Sequence, residues 1–575
     1  MSPVAGVPPS LADHFDDLAA GYGGAAAIAV LTAAQGTKRR LLVRAVVDEL
    51  PPDAAQPLMD LLVAAERAAP DPVAKLLTAP HVDAWLSDAL RRLGEGRAAV
   101  RDRIRSELAA FAAAAAAAAQ LTFELRLDNA SPDLVLPGLG VAVGIGTGAV
   151  TIRGDVASVA VLGPTRELRI GRLSTATADT PAWLPVRRLS DGDPEVLLDD
   201  IDPYRSCYSW PPLDRLSDQD FDRLRTAWAE ATRILDHEHP CHADGVRAAL
   251  RCVVPVMPPS AGHTVSAASR FAYGAIAISP TDNAQQLAEL AIHEVAHMKL
   301  YALLEHVDLY LPGGALHYAA WRPDPRPVGA LMQGTYAHLA VADYWRLRRP
   351  GLDGPWADYE FTLWRRLVSD SIASLLSSCE LTPAGERFVH GMAGTVQSWD
   401  SEPVSGRCVR LAEDVALGGR VRWCLTNFAA PSAFVARLAS AWRRGQPCPS
   451  HEPPAVDAKP ATRLARDMPR LHLAARAIAG GADAGSSADA LLVAGDYDTA
   501  AVRYVAAIEE GGGVDDWAGL AVAWHRRGRP DMTGEKTYPA VLRDLFTALA
   551  HRYPHPAPEE LAEWLTTRPS PPFGR

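Results

Sequence analysis

Residues 280–306 read PTDNAQQLAELAIHEVAHMKLYALLEH, and this stretch decides what the middle of the chain is. The run from Ala284 to Glu305 holds neither proline nor glycine, so it predicts one unbroken helix. Pro280-Thr281-Asp282 marks its start, with Thr281 or Asp282 as N-cap. His293 and His297 stand at i and i+4, one above the other on a helix face. That spacing lets both imidazoles reach one metal ion, with Glu294 beside them. Leu290, Leu300 and Leu304 flank the histidines and are expected against a buried surface. The run FAYGAIAIS, residues 271–279, reads as a strand just before the helix. A strand followed by such a helix is the arrangement zincin-type enzymes use to hold an extended peptide. The competing reading is a pair of ordinary helix histidines.

A metal site of this kind usually takes a third protein ligand. His306 and Asp308 follow the helix so closely that they fall beyond its end. His317 would be borne on a loop, while His338 lies inside the next predicted helix, residues 327–349, which begins with proline. Spacing alone does not choose between His317 and His338. Lys299 points away from the histidine face by helical geometry.

Outward from this centre the texture changes several times. Residues 1–120 are patterned as helices punctuated by Pro51, Pro52, Pro70 and Pro72, and the Ala112–Ala119 tract is a strong helix former rather than a membrane span. Residues 121–210 form a β-rich segment of short apolar runs such as LTFELRL, AVTIRG and VASVAVLG. Its GLGVAVGIGTG stretch lacks the spacing of a phosphate loop, so its glycines read as turn residues. Residues 211–350 are the HExxH region, 351–450 a helical region, 451–488 a linker rich in Pro, Gly, Ala and Ser, and 489–575 a helical-repeat-like tail. In that tail Ala494, Tyr497, Ala500, Ala501 and Tyr504 sit at helical spacing; a plain helical hairpin is the alternative. His237-Glu238-His239-Pro240-Cys241-His242 resembles a metal patch in composition but is expected in a loop.

Composition narrows the function. With 68 acidic and 57 basic residues the net charge is −11, which argues against nonspecific binding to a nucleic-acid backbone. Seven scattered cysteines without a CxxC pair suggest reduced thiols. The start, MSPVAGVPPSLADHFDD, shows no secretory pattern, so a cytoplasmic protein that does not enter membranes is expected. No GxSxG elbow or cysteine-protease signature is present.

Three stretches bring a resemblance: DHFDDLAAGYGGAAAIAVLTAAQGTKRRLLVRAVVDEL (13–50), HEVAHMKLYALLEHVDLY (293–310) and AAWRPDPRPVGALMQGTYAHLAVADYWR (319–346). Together they are similar to the actinobacterial HEXXH-motif peptide-modification family. The resemblance covers the start and centre of the chain. It implies work on ribosomally made peptides, some members being iron(II)- and 2-oxoglutarate-dependent peptide β-hydroxylases. It also implies His338 as third ligand, giving a three-histidine site of His293, His297 and His338. Such a site departs from the two-histidine, one-carboxylate triad usual in these oxygenases. Three imidazoles, a chelating 2-oxoglutarate and one open position complete a six-coordinate iron.

Arg322 and Arg326, in WRPDPRP, are candidates to hold the distal carboxylate of 2-oxoglutarate, because arginine grips a carboxylate through two parallel bonds. Pairing with Asp324 is their bland alternative. Glu294 would orient a ligand or the peptide in an oxygenase, whereas in a zinc peptidase it would be the general base. The expectation is therefore an α+β, predominantly α-helical fold with a zincin-like strand and helix. The expected function is iron(II)/2-oxoglutarate-dependent β-hydroxylation of a precursor peptide. The alternatives are a zinc metallopeptidase that trims such a peptide and a peptide-binding scaffold with a vestigial metal site.

Overall fold

The computed structural model describes residues 7–171, 180–190, 192, 195–260, 263–311, 313–351, 354–449, 457–458, 470–479, 485–529, 538–550 and 556–566. It is 61% helical with 12% strand, an α+β fold dominated by helices. The chain divides into two compact units, Met1–Asp308 and Leu309–Arg575.

In the first unit, prolines open successive helices. Pro52–Ala68, Pro70–Leu77 and Pro80–Leu93 each carry proline in the first turn, where its missing N–H costs nothing. The alanine tract belongs to the helix Ala98–Ala118, and Ala109–Ala116 are buried. Small side chains let this helix lie close to the helix Pro52–Ala68 and to the first strand.

The β-rich segment appears where the alternation placed it. Phe123–Asn129, Gly148–Gly154, Val159–Leu162 and Glu167–Ile170 form a four-stranded antiparallel sheet in that order. The glycine-dense stretch makes turns: Gly138 and Gly146 have φ of 73° and 94°, and a Cβ on Gly146 would meet Thr165.

A five-stranded sheet positions the centre of the unit. Its order is Ser266–Ala268, Ala275–Ile278, Cys252–Pro255, Val196–Leu198, Arg187–Ser190. The middle three strands run parallel and the outer two antiparallel. Cys252–Pro255 and Ala275–Ile278 are wholly buried, as parallel strands covered on both faces must be. The strand expected over 271–279 is confined to Ala275–Ile278 because Gly274, at φ 98°, turns the chain into it. The HExxH helix, Ala284–Leu304, follows directly. It packs against the helices Asp218–Glu238, Pro240–Ala249 and Gly24–Asp48 and against the edge strand Ser266–Ala268.

The expected loop at 237–242 is instead a junction of two helices. Pro240 sits in the first turn of the helix Pro240–Ala249 and restarts helical structure after His239.

In the second unit the helix Val328–Arg348 takes Pro327 as its N-cap residue. The helices Gly354–Leu376, Pro383–Ser398, Gly406–Asn427 and Ser432–Arg443 follow. Part of the expected linker 451–488 lies outside the described residues, but Arg470–Ala479 is a helix with Leu471 and Ala475 buried. The tail builds a helical pair, Ala488–Ala494 and Tyr497–Glu509, joined at Gly495 (φ 95°) and capped by Asp496. Val514–Arg526 packs on that pair. Leu492, Tyr504, Leu520 and Trp524 share one apolar core with Leu363, Leu411 and Leu425, so the tail is part of the unit's core. All seven cysteines are free thiols. Among the described residues no helix is long and apolar enough to cross a membrane.

Candidate metal centre

The HExxH helix is capped one or two residues later than expected from Thr281 or Asp282. Asn283 is the N-cap, and its side chain accepts from the N–H of Gln286 at 3.1 Å. Thr281 instead accepts from the N–H of Asn283. From there twelve of the helix residues are buried, Leu300 fully and Leu290 and Leu304 in part. His293 and His297 share a half-buried stripe with Tyr301. Their ring centroids lie 4.8 Å apart with the planes at 82°. Two imidazoles bound at about 2.1 Å to one ion, at a near-right angle, hold their centroids roughly 4.5–5 Å apart. The observed separation falls in that range.

Glu294, next to His293, reaches toward the edge strand. Its Oε1 accepts the Ser266 hydroxyl at 2.5 Å and its carboxylate also takes the N–H of Ala268. Its Oε2 is buried with no hydrogen-bond partner among the described residues. Burial pushes the carboxyl up to about 7, against the pull of Ser266 and Ala268. Glu294 Oε1 is 4.0 Å from His293 Nε2. The helix thus sets two neighbouring imidazoles beside a buried carboxyl whose proton is held more tightly than usual.

Lys299 points away from the histidines, as its helical phase requires. Its ammonium donates to the carbonyls of Gly21 and Tyr22 at 2.7 and 2.8 Å, and burial lowers it to about 7. The far end of the helix is tied down by Glu305, which accepts from Lys38 at 2.6 Å and from Gln35 at 2.5 Å. His306 and Asp308 lie past the helix end and are exposed.

The remaining sequence candidates stand in the second unit. His338 is on the helix Val328–Arg348, its ring stacked between the indoles of Trp321 and Trp364 at 4.4 and 4.5 Å, with planes at 19° and 25°. Its Nδ1 is 2.7 Å from the Gly334 carbonyl, so Nδ1 carries a proton and donates it there. Trp364 is held in turn by Glu360, which accepts its indole N–H at 3.1 Å. His317 is engaged differently. Its Nε2 is 2.7 Å from Glu380, and its backbone pairs with Arg326. Arg322 and Arg326 both hold Asp324: Arg322 through two bonds of 2.9 and 3.2 Å, Arg326 through one of 3.0 Å. Together they keep the Asp324 carboxyl below the usual range even though burial works the other way.

One group of side chains able to ligate a metal escaped the sequence reading. In the first unit His81, Asp199 and Asp202 bring one donor atom each within 4.8 Å of the others. They come from the start of the helix Pro80–Leu93, the end of the strand Val196–Leu198 and the N-cap of the short 3₁₀ turn Pro203–Cys207. No local spacing in the sequence announces residues so far apart.

No protein-family model matches the chain, and neither does any curated protein.

Proposed function

We propose that the chain is a metal-dependent peptide-modifying enzyme. Its reaction, on this reading, is iron(II)/2-oxoglutarate-dependent β-hydroxylation of a residue in a ribosomally synthesised precursor peptide. The observation that supports it best is the half-buried His293–His297 pair, its rings 4.8 Å apart on one face of a helix whose Glu294 grips the sheet's edge strand. With 2-oxoglutarate and dioxygen, the iron would supply the oxidising power that turns a C–H bond into C–OH.

The protein's part is to hold and orient. His293 and His297 supply two nitrogens from one helical turn. His338, third ligand by the family resemblance, has the tautomer a ligating histidine needs, because its Nδ1–H is spent on Gly334. The edge strand Ser266–Ala268 offers main-chain groups with which an extended peptide can pair. Arg322 and Arg326 remain the candidates for the distal carboxylate of 2-oxoglutarate, which would have to share or displace Asp324.

A second reading, zinc-dependent cleavage of the peptide, is favoured by Glu294 itself. Its Oε2 has no partner among the described residues, and its carboxyl sits in the range where a general base takes a proton from water.

Full-length protein loaded anaerobically with iron(II), then given 2-oxoglutarate, air and peptides encoded beside its gene, tests both. Mass spectrometry should show the gain of one oxygen atom per peptide, with succinate formed in step. Shortened peptides with zinc would establish the second reading. Unchanged peptides under both conditions would leave a binding scaffold and overturn the enzyme.

A further inference from the structure

His81, Asp199 and Asp202 lie in the first unit on elements that the HExxH helix does not include. We propose that these three side chains form a second site, for a divalent cation of the first transition series. The donor set is one imidazole and two carboxylates, which suits manganese, iron, cobalt or zinc. Each donor is already oriented. Asp199 Oδ1 accepts the backbone N–H groups of Ile201 and Asp202 at 3.2 and 2.9 Å, which turns Oδ2 to His81 Nδ1 at 2.9 Å. Asp202 Oδ1 accepts the N–H of Tyr204 at 2.8 Å, and its other oxygen has no partner among the described residues. On the far side of the imidazole the Tyr208 hydroxyl is 3.4 Å from Nε2, an outer contact that fixes the ring. A metal bound at about 2.0–2.2 Å keeps its donors roughly 3–3.5 Å apart, so small side-chain rotations within the observed 4.8 Å complete the site.

Three further features favour a cation here. His81 and Asp199 are only 3% and 8% exposed and pair with each other, which leaves the half-buried carboxylate of Asp202 beside them with no cationic side chain bonded to it among the described residues. The neighbouring guanidinium of Arg205 donates instead to the carbonyls of Asp202 and Leu213. The group also borders a cavity of about 560 Å³ lined by His81, Asp202, Tyr204 and Arg205, which gives room for water at the remaining coordination positions. Asp199 is the first residue past a strand with a parallel neighbour, and the carboxyl ends of parallel strands are where such sheets commonly place ligands. Binding replaces the proton between Nδ1 and Oδ2 with the metal, and that proton leaves to solvent.

The test uses the full chain, stripped with a chelator and titrated calorimetrically with zinc(II) or manganese(II) alone. In the His293→Ala/His297→Ala variant one equivalent of metal should still bind. Adding Asp202→Asn, which keeps the Tyr204 cap through its amide oxygen, should weaken that binding at least tenfold. No binding in the double variant, or unchanged affinity with Asp202→Asn, overturns the proposal. Where the double variant fails to fold, Asp202→Asn and His81→Gln in the otherwise intact chain must each remove one equivalent. An unchanged stoichiometry overturns the site. If the parent binds two equivalents and the double variant keeps one, the lost equivalent belongs to the HExxH helix and the retained one to this site; a double variant that keeps every equivalent counts against the HExxH site alone, so the two readings fail separately.

Discussion

Ser266 donates its hydroxyl to Glu294 at 2.5 Å, so the edge strand and the HExxH helix are joined through the one acidic residue of the motif. Ser266→Ala would strip a buried carboxyl of a partner while its Oε2 already lacks one. An unmade bond of this kind costs about 1–3 kcal/mol. Urea unfolding should show a loss of that size with bound metal unchanged, and Glu294→Gln in the same chain should recover part of it. A Ser266→Ala protein as stable as its parent would mean that the hydroxyl holds nothing.

The stability of the first unit should rise with pH through the titration of Lys299. Its folded value is about 7 against the ordinary 10.5. Between those values the unfolded chain carries a proton that the folded chain has given up, so raising the pH favours the folded state. Below about 7 both states are protonated and the full cost of burying the ammonium stands. Denaturant midpoints measured from pH 6.5 to 9.5 should climb in the parent protein and flatten in Lys299→Met. Equal slopes in the two proteins would refute the assignment.

The legible parts of the sequence were those whose signal is local. An unbroken run without Gly or Pro gave the HExxH helix, and the i, i+4 spacing gave the facing imidazoles. The N-cap was misplaced by one or two residues because Thr281, Asp282 and Asn283 are all good caps, and only the fold shows that Asn283 meets Gln286. The edge strand Ser266–Ala268 carried no signal. It is short and made of small residues, and it becomes a strand by pairing with Ala275–Ile278. His81 and Asp199 meet across 118 positions, a relation that no window of sequence contains. His317 and His338 were equal candidates by spacing; what separates them is Glu380 on one and the Gly334 carbonyl with two indoles on the other.

Gly334 should resist replacement by alanine although it lies inside a helix. Alanine there ordinarily gains about 1 kcal/mol over glycine. At this position a Cβ would overlap the Trp321 indole, which covers one face of His338. Gly334→Ala should therefore lower the melting temperature and alter the near-ultraviolet tryptophan dichroism. A more stable variant with an unchanged spectrum would show that the indole is free to move aside.

Metal analysis of His317→Ala and His338→Ala distinguishes the two remaining histidines. His317 is committed to Glu380 at 2.7 Å, so its loss should cost local order and leave the metal-to-protein ratio intact. His338 donates its Nδ1–H to Gly334 and is held flat between Trp321 and Trp364, so on the proposed three-histidine reading its loss should lower iron content after gel filtration. His338→Gln, which keeps a polar side chain between the indoles, should lose iron as well. If His338→Ala keeps its iron while His317→Ala loses it, the tautomer argument fails. The bond to Glu380 would then be the outer contact that orients a ligating imidazole.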